Sequence, residues 1–336
     1  MNIKHLPAIF RMPHLLAQAQ INQDYKSFLR LHFLDAAMNS GLLPALKSGA
    51  SREDLLVKLQ VKRPELLDTL LELGISLKEL SVGKGIYRIK GRRSHALIDD
   101  REGIVSALIE EYVGFHASSY RHLPARIRGA ALGEYLEEYG VTIARASRIL
   151  EPFVKSFMQS FINGNQPLRI LEVGCGTGVY LRHAANISSG TTGIGIDLQE
   201  VIVQEAAANM ERWGLGERFK IMVADIRNPP ATLAGWFDLV TLYNNIYYFT
   251  PEERPALFHQ LKSLLSDQGV LALVSEMRGT TPAAIDFDLI LRSTAGCTPL
   301  PDLDETKLQL RRSGFNRIKS VNLFPGESFY GITAKN

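Results

Sequence analysis

The sequence predicts an α/β protein in two parts: a mainly helical region over residues 1–160 and a region of alternating strands and helices over residues 161–336. In the second part, short apolar runs alternate with stretches that carry apolar residues at helical spacing. This alternation is typical of βαβ units, which build a parallel sheet with its ligand site at the carboxyl ends of the strands. Two strand-like stretches around Pro325-Gly326 predict an antiparallel hairpin that closes the sheet.

The first part is predicted to contain three helices and a hairpin. The expected elements are a helix over 24–38, a helix from the capping-box-like Ser51–Asp54 through Leu59, a helix over 64–73 ended by Gly74, and a hairpin over 77–90. This succession suggests a winged-helix-like unit. Residues 102–163 are expected to add further helices that lead into the second part.

The second part is predicted in more detail. The expected strands cover 169–173, 192–197, 219–224, 237–242 and 270–276, and the expected helices cover 178–187, 199–213 and 251–266. The closing hairpin is expected to pair 315–324 with 328–334.

Composition excludes several classes of protein. The chain is 46% apolar and 22% charged with a net charge of +3, which is too mild to require nucleic acid or an anionic membrane as a partner. No apolar run reaches about 18 residues, so no transmembrane helix is expected, and residues 1–11 lack the apolar core of a signal peptide. The two cysteines fit a reducing cytoplasm, and no metal-ligand spacing is present, so a metal-independent protein is expected.

The most informative segment is the glycine-rich stretch at residues 170–178, Ile-Leu-Glu-Val-Gly-Cys-Gly-Thr-Gly. A strand that runs into a glycine-rich turn at the start of a helix is a nucleotide-binding arrangement. Compared with the dinucleotide pattern G-x-G-x-x-G/A, the third glycine comes one residue early, at Gly178. This spacing argues against the main alternative interpretation of the loop, that of a nicotinamide-dependent dehydrogenase.

Residues Leu171–Gly178 resemble the first motif of the class I S-adenosylmethionine (SAM)-dependent methyltransferases, whose catalytic domain is Rossmann-like. The resemblance implies SAM as the methyl donor and S-adenosylhomocysteine as the product. It also implies that Asp197 accepts hydrogen bonds from the ribose hydroxyls, that Asp225 binds the adenine amino group and that Ile226 packs on the ring. The complete set of expected cofactor-binding residues is Glu172, Gly174, Gly176, Gly178, Asp197, Leu198, Asp225, Ile226 and Tyr243.

The two-part architecture resembles the small-molecule O-methyltransferases of plant and bacterial secondary metabolism, in which the first domain dimerises and roofs the active site. The resemblance implies a homodimer, a small-molecule acceptor, and neither a membrane nor a nucleic-acid partner. Two alternatives stay open. One is a SAM-binding regulator whose basic hairpin around Lys84–Arg93 contacts DNA, and the other is a methyltransferase that acts on protein or RNA.

The catalytic base differs from the family pattern. The family carries a histidine within a sequence such as Leu-His-Asp-Trp-Ser-Asp-Glu-Glu, whereas this chain has Tyr247 at that position of Ile246–Glu253. A neutral tyrosine is a poor base at neutral pH, although it can orient a nucleophile. Three alternatives follow. The nucleophile is a nitrogen or carbon that needs little assistance from a base, or the acceptor binds already ionised. In the third alternative, another residue such as His116 is the base.

Further residues are expected to contact the acceptor. The expected catalytic residues are Tyr247 and His116, and the expected substrate-binding residues are Tyr120, His122, Asn244, Asn245, Tyr248 and Arg278. Arg278, together with Arg292, could hold a carboxylate of the substrate.

Overall fold

The computed structural model describes residues 13–233 and 235–336. The expectation about a signal peptide in residues 1–11 lies outside this range. The described chain forms two compact units. One extends to His122 and includes Tyr139–Ile149, and the other comprises Leu123–Glu138 and Leu150–Asn336. The predicted domain boundary at residue 160 remains a prediction.

The first unit is mainly helical. Its helices are α1 Leu15–Asn39, α2 Leu42–Ala45, α3 Arg52–Lys58, α4 Pro64–Ser76, α5 Arg92–Asp99 and α6 Ile104–Glu110, followed by a π-helical segment at Glu111–His116. Helices α7 Ala117–Ile127 and α8 Tyr135–Ala146 each contribute residues to both units. Within the described residues, β1 Ala50–Ser51, β2 Leu80–Gly83 and β3 Ile86–Ile89 form an antiparallel sheet in the order β1-β3-β2.

Two local predictions in this unit have different outcomes. The capping box at α3 is confirmed, because the Ser51 hydroxyl accepts from the Asp54 N–H and the Ser51 N–H donates to the Asp54 carboxylate. The predicted end of a helix at Gly74 is wrong, since α4 continues to Ser76. A Cβ at Gly74 would come within 2.6 Å of the Phe33 ring, so this glycine serves close packing of the helix.

The described part of the second unit contains a seven-stranded sheet in the order β6-β5-β4-β7-β8-β10-β9. Its strands are β4 Arg169–Val173, β5 Thr192–Asp197, β6 Phe219–Val223, β7 Phe237–Tyr243, β8 Leu265–Glu276, β9 Arg317–Asn322 and β10 Phe329–Lys335. Strands β4 to β8 are parallel, whereas β10 is antiparallel to both β8 and β9. The predicted fold class, with a helical first part and an antiparallel closing hairpin, is confirmed.

Helices cover both faces of this sheet. They are α9 Glu151–Gln159, α10 Val179–Ile187, α11 Glu200–Arg212, α12 Arg254–Ser263, α13 Pro282–Arg292 and α14 Leu303–Arg312. Apolar residues of α9, α10 and α11 pack in one cluster, and those of α12 and α14 pack in another. The predicted helix over 251–266 is too long, because Leu265 already pairs with Phe237 in the sheet. Among the described residues, none of the helices is long and apolar enough to cross a bilayer.

Candidate active site

The candidate site lies where the strand order of the parallel sheet reverses. Strand β4 has β5 on one side and β7 on the other, so the connections after β4 and β7 lead to opposite sides of the sheet. Ligands of open α/β sheets bind in the crevice outside the carboxyl ends at such a point. The Asn245 side chain spans this junction, because its amide donates to the Val173 carbonyl at 2.6 Å.

The three glycines of the loop after β4 have different surroundings. All three have positive φ angles, of 67° at Gly174, 51° at Gly176 and 79° at Gly178. A Cβ would overlap the Asn245 amide at Gly174 and the Met210 methyl at Gly178, but it would meet nothing within 4 Å at Gly176. The loop therefore faces open space at Gly176, where a ligand can approach the backbone closely.

Asp197, at the end of β5, holds this loop in place. One carboxylate oxygen accepts from the Gly176 N–H at 3.2 Å and the other accepts from the Gln199 N–H at 3.2 Å. The next side chain, Leu198, is 59% exposed although it is apolar. The open space at Gly176 is thus bordered by a carboxylate, and an apolar surface follows it directly in the chain.

A buried polar cluster lies at the ends of β4 and β7. Glu172 is 2% exposed, and this burial raises its pKa well above the usual range. A hydrogen bond from the Leu181 N–H lowers the pKa, whereas the nearby charge of Asp197 raises it further. Burial likewise raises the pKa of Tyr243, whose ring packs edge-on against Tyr180 at 5.2 Å. Burial therefore disfavours the charged form of both groups.

Several buried polar atoms of this cluster have no hydrogen-bond partner among the described residues. They are Glu172 Oε2, Thr241 Oγ1, Tyr243 Oη and Asn245 Oδ1. A buried polar group without a partner costs about 1–3 kcal/mol. Asn245 contacts Gly174 of the loop, and Thr241 lies opposite Glu172 in the sheet. A ligand with an ammonium and a carboxylate group, such as the methionine part of SAM, brings polar groups that can pair with these atoms.

The end of β6 provides a second acidic residue. Asp225 Oδ1 accepts from the Arg227 N–H at 2.9 Å and contacts the Arg227 guanidinium at 3.5 Å, whereas Oδ2 has no partner among the described residues. Oδ2 can therefore accept from an amino group of a ligand. Ile226 is buried in the apolar cluster that contains Phe249.

Asn244 to Phe249 form the turn after β7, which we call the tyrosine turn. Asn244 has a φ of 54°, a left-handed conformation that asparagine tolerates better than most residues. The Tyr247 ring packs edge-on against Tyr248 at 4.9 Å and against Phe287 at 5.6 Å. Burial raises the pKa of Tyr248 above its usual range, as nearby Cys297 and Asp197 also do. An ionised Tyr248 is thus disfavoured in this structure.

The end of β8 carries Glu276 and Arg278. Burial, aided by the nearby charge of Glu327, raises the pKa of Glu276 to about 7, although an N–H from Ser328 opposes the shift. Arg278 is exposed, and its backbone N–H donates to the Pro301 carbonyl at 2.8 Å. The Arg292 guanidinium is paired with Asp288 at 2.9 Å, so an ion pair already occupies it.

The remaining expected residues belong to the first unit. His116, in the π-helical segment, lies 3.8 Å from Glu111 and edge-on to Phe115. Tyr120 and His122 are exposed on α7, and the His122 ring bonds the Ser118 carbonyl. Their roles at the site stay predictions. Among the described residues, no group of three His, Cys, Asp or Glu side chains could hold a metal ion.

The sequence analysis missed four residues that support the site. Asn209 on α11 donates to the Thr177 carbonyl at 3.1 Å, and Arg227, Arg254 and Thr298 bind carbonyls of the tyrosine turn. Arg254 is 3% exposed at the start of α12, a position where a charged side chain is normally solvated. For Asn209, Arg227 and Thr298 no local pattern predicts these bonds, because their partners lie 21 or more residues away in the sequence.

Comparisons with known proteins agree with this geometry. The family described as "Methyltransferase domain" matches residues 170–269. The chain is 32% identical over 138 residues to the non-reducing polyketide synthase Preu3 of Preussia isomera, a match that covers 39% of the chain and 5% of that protein. It is 35% identical over 105 residues to the nocamycin O-methyltransferase of Saccharothrix syringae, which covers 31% of the chain and 36% of that protein. The matches therefore span only a small part of the first relative and about a third of the second.

Among solved structures, the mitomycin 7-O-methyltransferase MmcR superposes with a TM-score of 0.79 at 13% identity. The match covers 95% of this chain and 98% of that chain, so the likeness extends over both units. The resemblance stated from residues 171–178 is confirmed. Residues 170–269 thus match a methyltransferase domain, and the two-unit fold is similar over nearly its whole length to that of MmcR.

Proposed function

We propose that this chain is a SAM-dependent methyltransferase that acts on a small-molecule acceptor, with O-methylation favoured. The observation that carries the proposal is the open space at Gly176. A carboxylate borders it, and the neighbouring strand ends hold buried polar atoms without partners. Such a site suits a ligand that brings its own polar groups, and the methyltransferase domain at residues 170–269 supports SAM as that ligand.

Bound SAM would supply a methyl group that its sulfonium already activates. Glu172, Tyr243 and Asn245 would hold the methionine part, because their buried polar atoms need partners. Asp197 would accept from the ribose hydroxyls while it keeps its bond to Gly176. Asp225 Oδ2 would accept from the adenine amino group, and the exposed Leu198 would pack on the ligand.

The protein would contribute position and exclusion of water. Tyr247 and Tyr248 lie on the turn that follows β7, on the same edge of the sheet as the glycine loop. Tyr247 would orient the nucleophile by a hydrogen bond, with Asn244 beside it, and Arg278 would bind an acidic group of the acceptor. Because Tyr247 is a poor base, an acceptor that arrives ionised, or a nitrogen or carbon nucleophile, remains part of the proposal.

The first domain as the sequence predicts it, residues 1–160, would complete the enzyme. We propose that residues 1–160 dimerise and roof the site in a metal-independent, cytoplasmic homodimer, with His116 as a second candidate base and Tyr120 and His122 as acceptor contacts. The resemblance of the two-part sequence to small-molecule O-methyltransferases, in which the first domain dimerises and roofs the active site, supports this division of roles.

The deciding experiment is calorimetric titration of the purified protein with SAM, with NAD as the matched control. We expect micromolar binding of SAM and no heat from NAD. Binding of NAD alone would overturn the proposal in favour of a dehydrogenase. Absence of SAM binding in the intact dimer would remove the support for a methyltransferase.

A further inference from the structure

Three consecutive backbone carbonyls of the tyrosine turn are bound by side chains from outside it. The Tyr247 carbonyl accepts from the Thr298 N–H at 2.7 Å and lies 2.9 Å from the Thr298 hydroxyl. The Tyr248 carbonyl accepts from the Arg227 guanidinium at 2.7 Å. The Phe249 carbonyl accepts from Arg254 Nε at 3.1 Å and lies 3.1 Å from the Thr298 hydroxyl.

Arg254 is the centre of this network. Its guanidinium is buried, donates to the Thr298 hydroxyl at 3.1 Å and the Pro299 carbonyl at 3.2 Å, and has no carboxylate within 4.0 Å among the described residues. Burial lowers the pKa of Arg254, while the more distant charges of Glu305 and Glu252 oppose the shift. A buried charge held only by neutral oxygens is costly, and the hydrogen bonds to these oxygens offset part of that cost.

Thr298 connects the two ends of the network. Its hydroxyl accepts from Arg254 and can donate to only one of the two turn carbonyls at a time or share its hydrogen between them. The ring of Tyr247 is held on the other side by Phe287 on α13. The backbone of the tyrosine turn is therefore fixed by side chains from outside the turn, and the Tyr247 ring packs against Tyr248 and Phe287.

We propose that Arg254 and Thr298 are positioning residues that fix the tyrosine turn and hold the Tyr247 ring in one orientation towards the acceptor. The consequence for turnover depends on the proposed methyltransferase function, but the fixed orientation itself does not. A polar network in the interior can specify one arrangement rather than add stability.

The experiment is fluorine NMR on the intact protein labelled with 3-fluorotyrosine, with the Tyr247 resonance assigned by its loss in Tyr247→Phe. In Thr298→Val the hydroxyl is lost while the volume is kept. We expect the single Tyr247 resonance to shift and broaden or split, whereas Thr298→Ser, which keeps the hydroxyl, should restore it. Thr294→Val is the matched control, because the Thr294 hydroxyl is buried just after α13 and bonds the Ile290 carbonyl of that helix rather than the tyrosine turn.

An unchanged Tyr247 resonance in Thr298→Val would overturn the proposal, as would an equal change in Thr294→Val. With any acceptor that the enzyme methylates, Thr298→Val should lower kcat about tenfold while the KM for SAM changes less than about twofold. Titration with SAM separates the two ideas. Failure of the wild type to bind SAM contradicts the proposed function, whereas an unaltered Tyr247 signal contradicts only the positioning role.

Discussion

Substitution of Gly176 by alanine tests whether the open space at the glycine loop is a cofactor site. Gly176 has a φ of 51°, and an added methyl group would meet no atom of the described residues within 4 Å. The left-handed conformation alone should cost about 1–2 kcal/mol of folding free energy in an L-residue. If SAM occupies the space, the methyl group should also weaken SAM binding by at least about 1.4 kcal/mol, which is tenfold in affinity.

Gly214 provides the matched control, because it also has a positive φ, of 68°, and a Cβ there also meets nothing within 4 Å. It lies between α11 and β6, away from the glycine loop in the chain. Gly214→Ala should lose a similar folding free energy in denaturant titrations and keep its calorimetric affinity for SAM. Equal stability losses with unchanged SAM affinity in both variants would refute the assignment of this space to the cofactor.

Three further substitutions test other parts of the site. Asp197→Asn should weaken SAM binding about a hundredfold, because an amide cannot replace both acceptors, while Asp238→Asn, which removes a similar acceptor at the start of β7, should leave the calorimetric affinity unchanged. Tyr247→Phe should lower turnover more than SAM affinity, and wild-type turnover would exclude its role. For Glu276, the raised pKa means that the folded state binds the proton more tightly. The free energy of unfolding should therefore fall by at most about 3 kcal/mol as pH rises from about 4.5 to about 7. Glu276→Gln should lose this dependence in denaturant titrations at pH 5 and 8, and its persistence would contradict the shift.

Local patterns predicted much of the second unit. Apolar runs gave strands β4 and β5 with the observed bounds, and glycine spacing singled out the loop at Gly174–Gly178, because both signals depend on neighbouring residues. The predicted helix end at Gly74 is wrong, since the role of this glycine depends on contact with Phe33 in another helix. The predicted end of β8 at residue 276 is correct, whereas its predicted start at residue 270 lies five residues after the observed start at Leu265.

The supporting network of the site could not be predicted in this way. From the sequence, Arg254 is expected to be a solvated charged residue at a helix start. Its partner Thr298 lies 44 residues further along the chain. Asp197 could be assigned to a ligand from its place at a strand end, but its bond to the Gly176 N–H depends on how two loops meet. Sequence periodicity contains no information about such contacts.

The position of β10 between β8 and β9 determines the order in which these strands can join the sheet. Strand β9 joins the sheet only through β10, although it is made earlier. The N–H and C=O groups of β8 that pair with β10 therefore stay unpaired until residues 329–335 join the sheet. An exposed strand edge of this kind is a site for aggregation, so β10 protects the edge of β8 as well as binding β9 to the sheet.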